Sequence, residues 1–417
     1  MRGAGVVVVG AGVAGLSAAR ALRRAGVPVT VLEAHNHIGG RAWTTYPRPL
    51  GGQPFDDGAA WLHAADSNPL MAYVRPSLDK LVNSDAIRQE RVFVRGRPAD
   101  ERELAEYGAA WSAMDSVGSS QPDTTLARAM PPGPWHATVA LWEGAVIAAA
   151  DADALGCEDW FRNSLHGPNL QVRGGLGAFI ARRLSGPAQL NTVVEGVDWS
   201  GPGVRVSTDR GTLAAGACIV TASTGVLASG RIRFTPALPA PVLDAVDRLP
   251  MGLATKVAMR AAGPDRLGLP LGCSAVQRVE DAPGMVFSAW PGGRDVLAGT
   301  VGGRLAWSVA HAPREAERLV REGLRRMVGA RADRALSPGA HVTAWGEDPF
   351  SLGAYAYAGP GAFGSRAQLA GAFPGERILF AGEACRSDGL AGTVAGAYLS
   401  GQDAAARLLA AAPATAR

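Results

Sequence analysis

The fold is decided by the stretch Gly5-Val-Val-Val-Val-Gly10-Ala-Gly12-Val-Ala14-Gly15, which is followed by Glu33 eighteen residues later. Its first five residues are uncharged and rich in valine, which is typical of a short buried strand. Residues 16–25 place apolar side chains on one face and arginines on the other, which predicts a helix. Residues 27–32 predict a second strand. A strand, a helix and a strand within about 30 residues imply a parallel sheet.

The glycines of this stretch fit a dinucleotide site. Gly10 allows a tight turn, Gly12 allows a pyrophosphate to approach the backbone, and Gly15 allows the helix to pack closely on the strand. The start of the helix offers free N–H groups and a positive dipole to phosphates. Glu33 can accept hydrogen bonds from a ribose and would repel a 2′-phosphate. The competing interpretation is an ordinary glycine turn in an α/β protein, which the complete strand-helix-strand context disfavours.

Composition limits the class of protein. The chain has 417 residues, enough for two or three domains, and is 47% hydrophobic and 19% charged, which excludes a disordered chain. The formal net charge is +4 without a basic tract, so no nucleic-acid partner is expected. No segment has about 18 uninterrupted apolar residues, so neither a transmembrane helix nor a membrane partner is expected.

The cysteines and lysines carry further information. Cys157, Cys218, Cys273 and Cys385 lie far apart, so they predict no metal site and suggest a reducing cytoplasm. Only two of the 41 basic residues, Lys80 and Lys256, are lysine. A lysine retained in so arginine-rich a chain is a candidate for a specific role.

The rest of the chain divides into regions by pattern. Residues 73–185 are predicted to be mostly helical and irregular. Further strands and helices are predicted by alternation, turn residues and apolar periodicity. They are strands at 189–191, 193–199, 204–208 and 217–221, short strands within 255–310, a helix at 313–328, a strand at 378–381 and a small-residue helix at 391–411.

The segment after Glu33 narrows the choice of dinucleotide. It contains Gly39-Gly40-Arg41 and resembles the flavin-containing amine oxidase family, whose second strand ends in Glu and continues into a Gly-Gly-Arg turn. The resemblance implies that Glu33 holds the adenosine ribose of FAD. It further implies that Gly39, Gly40 and Arg41 approach the pyrophosphate and the flavin.

The resemblance continues along nearly the whole chain. Gly58-Ala59-Ala60-Trp61-Leu62-His63 is similar to the polyamine oxidase branch, and the other matching segments follow in the order of the family. These segments are 172–177, 193–197, 219–227, 249–257, 345–355, 381–383 and 392–397. The resemblance implies FAD-binding roles for Gly10, Gly12, Ala14, Gly15, Glu33, Gly39, Gly40, Arg41, Gly58, Ala59, Val194, Trp345, Gly382, Glu383, Thr393 and Val394.

The implied fold class is α/β. A Rossmann-like FAD-binding domain is interleaved with an α+β substrate-binding domain. The FAD-binding domain is expected at 1–72, 190–254 and 346–417. The substrate-binding domain is expected at 73–189 and 255–345.

The resemblance also implies the chemistry and the catalytic residues. A neutral amine loses hydride to flavin N5, the resulting imine is hydrolysed, and O₂ or another acceptor reoxidises the flavin, giving H₂O₂ if it is O₂. Lys256 is implied to hold a water near N5. Tyr355 is implied to face the substrate, with Tyr357 as an alternative. Trp61 and His63 are either pocket residues or ordinary core residues.

Two departures from the family pattern affect the expected site. Gly389-Leu390-Ala391 stands where the family often has an aromatic residue, so one wall of the usual aromatic cage is missing. Ala354 stands where animal monoamine oxidases attach FAD through Cys, which implies non-covalent FAD.

Three classes of function are compatible with these observations. The first is an FAD-dependent amine oxidase acting on a polyamine or another secondary or bulky amine. The second is a flavin desaturase or porphyrinogen oxidase, which would not need Lys256, Trp61 and Tyr355 together. The third is a flavoprotein without catalytic activity. The sequence leaves the oligomeric state open.

Overall fold

The computed structural model describes residues 5–87, 89–118, 123–279, 284–371 and 377–411. Its strands are Val6–Val9, Val29–Leu32, Thr44–Thr45, Phe55–Asp56, Trp61–Leu62, Leu81–Asn83, Gln89–Val94, Arg97–Pro98, Leu170–Val172, Val194–Asp198, Val204–Thr208, Gly211–Ala215, Ala217–Val220, Arg233–Thr235, Met251–Gly252, Ala254–Arg260, Cys273–Gln277, Val286–Ala289, Val296–Gly302, His341–Val342, Tyr355–Ala356 and Ile378–Phe380.

The α-helices are Val13–Arg24, Ser84–Ile87, Glu101–Ala113, Leu126–Ala129, His136–Ala140, Cys157–Arg162, Leu176–Arg183, Thr224–Ala228, Ala240–Asp247, Gly303–Ser308, Pro313–Val328, Arg331–Ala335, Ser365–Ala370 and Val394–Ala411. A π-helix spans Leu141–Ala148. Single turns of 3₁₀ helix lie at Arg48–Leu50, Pro69–Tyr73, Met114–Ser116, Pro291–Gly293 and Glu383–Cys385. Within the described residues, no helix combines the length and apolar character needed to cross a membrane.

A four-stranded parallel sheet organises the nucleotide-binding part. Its order is Val29–Leu32, Val6–Val9, Ala217–Val220 and Ile378–Phe380. Every residue of the valine strand Val6–Val9 is buried, because helices or a second sheet cover both faces. The strands come from three distant parts of the chain, so the sheet brings the sequence motifs to one edge.

Two helices pack together against this sheet. Val13–Arg24 contacts the last helix, Val394–Ala411, so closely that a Cβ on Gly401 would overlap the carbonyl oxygen of Ala14. The Ser17 hydroxyl donates a hydrogen bond to the Tyr398 carbonyl oxygen at 2.7 Å, which links the two helices. The small-residue pattern at 391–411 therefore serves close packing of helix on helix.

A seven-stranded mixed sheet forms the second layer of the molecule. Its order begins with His341–Val342, Ala254–Arg260 and Val296–Gly302. It continues through Val286–Ala289, Cys273–Gln277, Gln89–Val94 and Arg97–Pro98. The predicted helix at 313–328 is confirmed as Pro313–Val328 and buries Val320, Leu324 and Met327 in the core of this layer, with Leu319 partly buried.

Residues 73–185 are mostly helical and irregular, as predicted, but their described part also contains four strands that the sequence pattern did not indicate. Gln89–Val94 pairs in parallel with Cys273–Gln277, which lies far away along the chain. The first three residues of Gln89–Val94 are polar. The strand therefore lacks the continuous apolar run by which a buried strand is recognised. The prediction of a strand at 189–191 is wrong. Of these three residues only Gln189 pairs, in an isolated bridge with Leu32. The residue limits of the two interleaved domains stay a prediction.

Candidate active site

The glycine turn and Glu33 meet at the carboxyl ends of the parallel strands. The Glu33 side chain is buried, and its Oε2 accepts a hydrogen bond from the Ala11 N–H at 2.6 Å. A Cβ on Gly15 would overlap the Gly10 carbonyl oxygen, so only glycine permits this approach of helix and strand. The arrangement places a carboxylate beside the start of a helix, as a ribose and pyrophosphate site requires.

Removal of this carboxylate is expected to weaken retention of FAD. In Glu33→Ala, the adenosine ribose would lose a charge-assisted hydrogen bond worth about 1.5–3 kcal/mol. The Ala11 N–H would also lose its acceptor. Dialysis followed by measurement of the flavin-to-protein absorbance ratio checks the loss. Glu195→Ala, at an exposed position, serves as the control and should retain FAD. Unchanged affinity in Glu33→Ala would contradict the assignment.

His35 links Glu33 to a second carboxylate. Its Nδ1 lies 3.1 Å from Glu33 Oε1, and its Nε2 lies 2.9 Å from Asp348 Oδ2. These hydrogen bonds raise the pKa of His35 to about 9, against an opposing effect of burial. His37 stacks on His35 at a centroid distance of 4.9 Å. No sequence motif assigned a role to His35 or Asp348, although Asp348 lies within the matched segment 345–355.

The His35 bridge makes stability depend on pH. The folded pKa of about 9 exceeds the unfolded value of about 6.5, so the stabilisation is complete below pH 6.5 and is lost as pH rises through 9. The shift corresponds to about 3 kcal/mol. Urea unfolding between pH 6 and 10 should show a fall in unfolding free energy that His35→Gln removes. The same fall in the variant would assign it to other groups.

The predicted turn Gly39-Gly40-Arg41 lies directly beside the first glycine turn. Gly39 forms a parallel bridge with Gly12, and its N–H donates to the Ala11 carbonyl oxygen at 2.9 Å. Arg41 donates from Nη1 to the Ala354 carbonyl oxygen at 2.8 Å and to Glu383 Oε1 at 2.9 Å. Arg41 is therefore an anchored residue at the centre of the site rather than a solvated surface arginine.

Glu383 provides an observation that fits a bound FAD. Its buried Oε1 accepts from Arg41 and from the Ala356 N–H at 3.1 Å. Its Oε2 is equally buried, and among the described residues it has no hydrogen-bond partner. A buried carboxylate oxygen without a donor is costly. A hydroxyl of the FAD ribityl chain would supply that donor, in a cavity that Arg41, Thr221 and Gly382 also line.

The last helix begins next to Glu383. Thr393 caps it, since its Oγ1 accepts from the Gly396 N–H at 2.9 Å and donates to the Leu390 carbonyl oxygen at 2.7 Å. The Gly392 N–H donates to the Glu383 carbonyl oxygen at 3.3 Å. The positive end of an 18-residue helix at Val394 therefore lies beside the backbone of Glu383, where it would favour negative charge on a flavin.

Lys256 approaches the site from the seven-stranded sheet. Its Nζ donates to the carbonyl oxygens of Asp56 at 2.8 Å and Gly58 at 2.6 Å. Burial lowers the pKa of Lys256, and the nearby Asp56 and Asp57 charges oppose that effect. An ammonium has three donors, so one N–H remains to hold a water.

The segment 56–59 connects Lys256 to Arg41. The Arg41 carbonyl oxygen accepts from the Ala59 N–H at 3.1 Å, and a Cβ on Gly58 would overlap that oxygen. Trp345 is buried and donates from Nε1 to the Asp57 carbonyl oxygen at 2.9 Å. The structure thus brings Lys256, Gly58, Ala59, Trp345 and Arg41 together, with Trp345 as a support for the segment.

Tyr355 lies between the last helix and the π-helix Leu141–Ala148. Its hydroxyl donates to the Ile147 carbonyl oxygen at 2.8 Å, and burial raises its pKa. The ring lies close to Gly392, since a Cβ at that glycine would be 3.6 Å from the Tyr355 Cδ2. Tyr357 lies beyond the end of the strand and packs instead on a separate apolar cluster.

His63 belongs to a hydrogen-bonded chain that the sequence analysis missed. Its Nδ1 lies 2.7 Å from Asn169 Oδ1, and Asn169 Nδ2 donates to Asp85 Oδ2 at 3.1 Å. Because Asn169 Oδ1 can only accept, the network assigns the proton to Nδ1 and leaves Nε2 as an acceptor. Burial lowers the pKa of His63, which keeps the ring neutral. Trp61 stacks beside it at a centroid distance of 6.2 Å.

Two predicted cofactor residues have core side chains. Ala14 is buried where the two helices meet, and Val194 belongs to the buried apolar cluster that contains Leu32 and Val220. Their cofactor roles stay predictions, and each would have to act through its backbone. No metal-binding cluster of His, Cys, Asp or Glu occurs in the part of the chain that the structure describes.

The comparisons with known proteins agree with this geometry. Residues 78–409 match the model of the flavin containing amine oxidoreductases, and residues 8–76 match that of the NAD(P)-binding Rossmann-like domain. The chain belongs to the flavin containing amine oxidoreductase family. It is an FAD-dependent oxidoreductase that acts on amine donors.

Individual relatives match nearly the whole chain. It is 29% identical to Polyamine oxidase 4 of Oryza sativa subsp. japonica, over 96% of this chain and 87% of that protein. It is 28% identical to Polyamine oxidase 2 of Arabidopsis thaliana, over 97% and 88% of the two chains. Among solved structures, a putrescine oxidase variant with redesigned cofactor binding matches with a TM-score of 0.79 at 20% identity, covering 98% of this chain and 99% of that one.

Proposed function

We propose that the protein oxidises a C–N bond of a secondary or bulky amine, with polyamines as the first candidates and O₂ as the electron acceptor. The observation that carries the proposal is the convergence of Lys256 and Arg41 on the segment 56–59, which continues directly into Trp61 and His63. Bound FAD supplies the hydride acceptor. The chain's own residues bind and orient the amine.

His63 and Tyr355 have complementary roles in this proposal. The free Nε2 of neutral His63 accepts an N–H of the substrate and holds it in place. The Tyr355 ring offers an electron-rich face to the amine, while its hydroxyl is tied to the Ile147 carbonyl oxygen. Only a deprotonated amine can lose hydride readily, and the cation Lys256 disfavours a second positive charge nearby.

The absence of a second aromatic residue at 389–391 supports a long or bulky substrate. Leu390 is partly buried beside the N-terminus of the last helix, at the position where an aromatic wall is common in the family. One aromatic wall leaves more room than two. The relatives named polyamine oxidases support a polyamine, whereas the formal net charge of +4 provides no general attraction for a polycation.

Anaerobic flavin reduction tests the proposal. Stopped-flow bleaching would be followed with spermine, an acetylated polyamine, benzylamine and an L-amino acid, with dithionite as the reference for full reduction. Polyamines should reduce the flavin fastest, and admission of O₂ should restore the colour with H₂O₂. Faster reduction by benzylamine or the amino acid would refute the substrate class. Reduction by a hydroaromatic compound alone would favour a desaturase or porphyrinogen oxidase, and inertness to every donor a non-catalytic flavoprotein.

FAD is expected to be held without a covalent bond. Ala354 has no nucleophile for the flavin, and its N–H and carbonyl oxygen are both used, by Gly252 and Arg41. Acid precipitation should therefore release the yellow colour into the supernatant, where its absorption spectrum identifies FAD. Colour that stays with the protein pellet after washing would refute this prediction.

A further inference from the structure

A basic groove lies outside the flavin site. It has a volume of about 580 Å³ and is partly open to solvent. Five arginines line it, together with the two tyrosines Tyr73 and Tyr398. The arginines are Arg20, Arg24, Arg75, Arg182 and Arg183. A volume in this range suits a small molecule.

One carboxylate neutralises part of this charge. Asp79 is buried beneath the groove and accepts hydrogen bonds from Arg182 at 3.3 Å and from Arg183 at 2.6 Å. Among the described residues, the guanidinium groups of Arg24 and Arg75 have neither a hydrogen-bond nor an ion-pair partner. Five arginines and one carboxylate therefore leave the groove with an excess of positive charge.

Arg20 shows an unmet hydrogen-bonding need at the same place. Its guanidinium lies 5.0 Å from the centre of the Tyr73 ring, and its Nη1 donates to the Arg183 carbonyl oxygen at 3.2 Å. Its Nε is buried without a partner in the described residues. A buried donor without an acceptor is costly, so an acceptor supplied by a ligand would be stabilising.

The tyrosine pair adds a neutral donor. The Tyr73 and Tyr398 hydroxyl oxygens are 2.8 Å apart, so one hydroxyl donates to the other and the second keeps its own proton free. Burial and the neighbouring Tyr73 raise the pKa of Tyr398 to about 12, so the Tyr398 hydroxyl stays protonated. Guanidinium forks with a hydroxyl donor match the oxygens of a phosphate chain.

We propose that this groove binds a small soluble molecule carrying a di- or triphosphate group. Arg20 and Arg24 lie in the second half of the helix Val13–Arg24, about 12 and about 18 Å along its axis from Gly12 in the turn expected to face the FAD pyrophosphate. The groove is therefore a second anion site, separate from that of the cofactor. Several guanidinium groups around one cavity repel each other until a polyanion enters.

Calorimetry on the FAD-loaded protein tests the proposal with tripolyphosphate at constant ionic strength. The double variant Arg24→Gln/Arg75→Gln changes two exposed side chains and should fold. It should bind tripolyphosphate at least about tenfold more weakly, since two charge-assisted contacts are lost. The control Arg102→Gln/Arg233→Gln removes the same charge at other exposed positions and should bind normally.

The source of the phosphate chain is resolved by comparing ATP, AMP and tripolyphosphate. Equal affinities for ATP and tripolyphosphate would mean that only the phosphate chain is recognised. A higher affinity for ATP would indicate that the ligand is a nucleotide. Three outcomes would overturn the proposal: no tripolyphosphate binding to the unaltered protein, equal weakening in both double variants, or binding only to anionic vesicles or single-stranded DNA. FAD content is measured throughout, so a loss of cofactor is not mistaken for a loss of this site.

Discussion

Replacement of Lys256 by Met is expected to lower amine turnover or flavin reoxidation by at least about tenfold, which is about 1.4 kcal/mol of transition-state stabilisation. Met nearly retains the volume of the side chain but removes the charge and all three donors. The water that the third N–H would hold is lost, and so is a positive charge able to stabilise superoxide as it forms. The carbonyl oxygens of Asp56 and Gly58 also lose their donor.

The chain offers a matched control for this experiment. Lys80→Met removes the only other lysine, which is exposed, and should leave both half-reactions unchanged. Stopped-flow reduction by amine and reoxidation by O₂ are measured separately, with FAD content determined for each variant. A Lys256→Met protein that retains FAD and has normal rates in both half-reactions would remove Lys256 from the chemistry.

The nucleotide-binding half was readable from sequence because its determinants are local. The valine strand, the glycines and Glu33 lie within about 30 residues, and each has a distinct physical requirement. Gln89–Val94 was missed for the opposite reason. Its place in a sheet depends on pairing with the distant strand Cys273–Gln277. Its first three residues are polar, so its own sequence has no pattern that indicates this pairing.

The site followed the same division. Motifs predicted Lys256, Arg41 and Glu383 as site residues, but they did not predict the contacts that hold these side chains. His35, which also contacts Glu33, reaches Asp348 across 313 positions in sequence, and Asn169 reaches His63 across 106 positions. A polar residue such as Asn169 has no distinguishing pattern in a single sequence. Only folding shows that its amide orients a ring.

A buried ion pair connects the helix Cys157–Arg162 to the helix Ser365–Ala370, close to Glu383. Arg366 and Asp159 are almost completely buried and form two hydrogen bonds, at 2.8 and 2.9 Å. Arg366 also donates to the Ala356 carbonyl oxygen at 3.2 Å, while the Ala356 N–H donates to Glu383. The pair thus supports both the strand that carries Tyr355 and the carboxylate proposed to meet the ribityl chain.

Asp159→Asn is expected to lower the free energy of unfolding by about 3–5 kcal/mol, because it leaves the Arg366 charge buried without a counter-ion. Urea unfolding at pH 7 checks this value. Asp153→Asn breaks the exposed ion pair of Asp153 with Arg304, in which the two side chains are 56% and 70% exposed. This change should lower the free energy of unfolding by no more than about 1 kcal/mol. Equal losses in the two variants would show that burial of the pair has no special effect.

The double variant Asp159→Asn/Arg366→Met identifies the source of the loss. It removes both charges, so no uncompensated ion remains buried, and it should be more stable than Asp159→Asn alone. It nevertheless lacks the donor to the Ala356 carbonyl oxygen, and its FAD should therefore dissociate faster than that of the unaltered protein. If the double variant regains stability but still loses FAD faster, the two effects are separate. The loss of stability then comes from the buried charge, and the loss of FAD comes from the altered position of Glu383. A double variant as unstable as the single one would mean that lost hydrogen bonds, not the buried charge, cause the destabilisation.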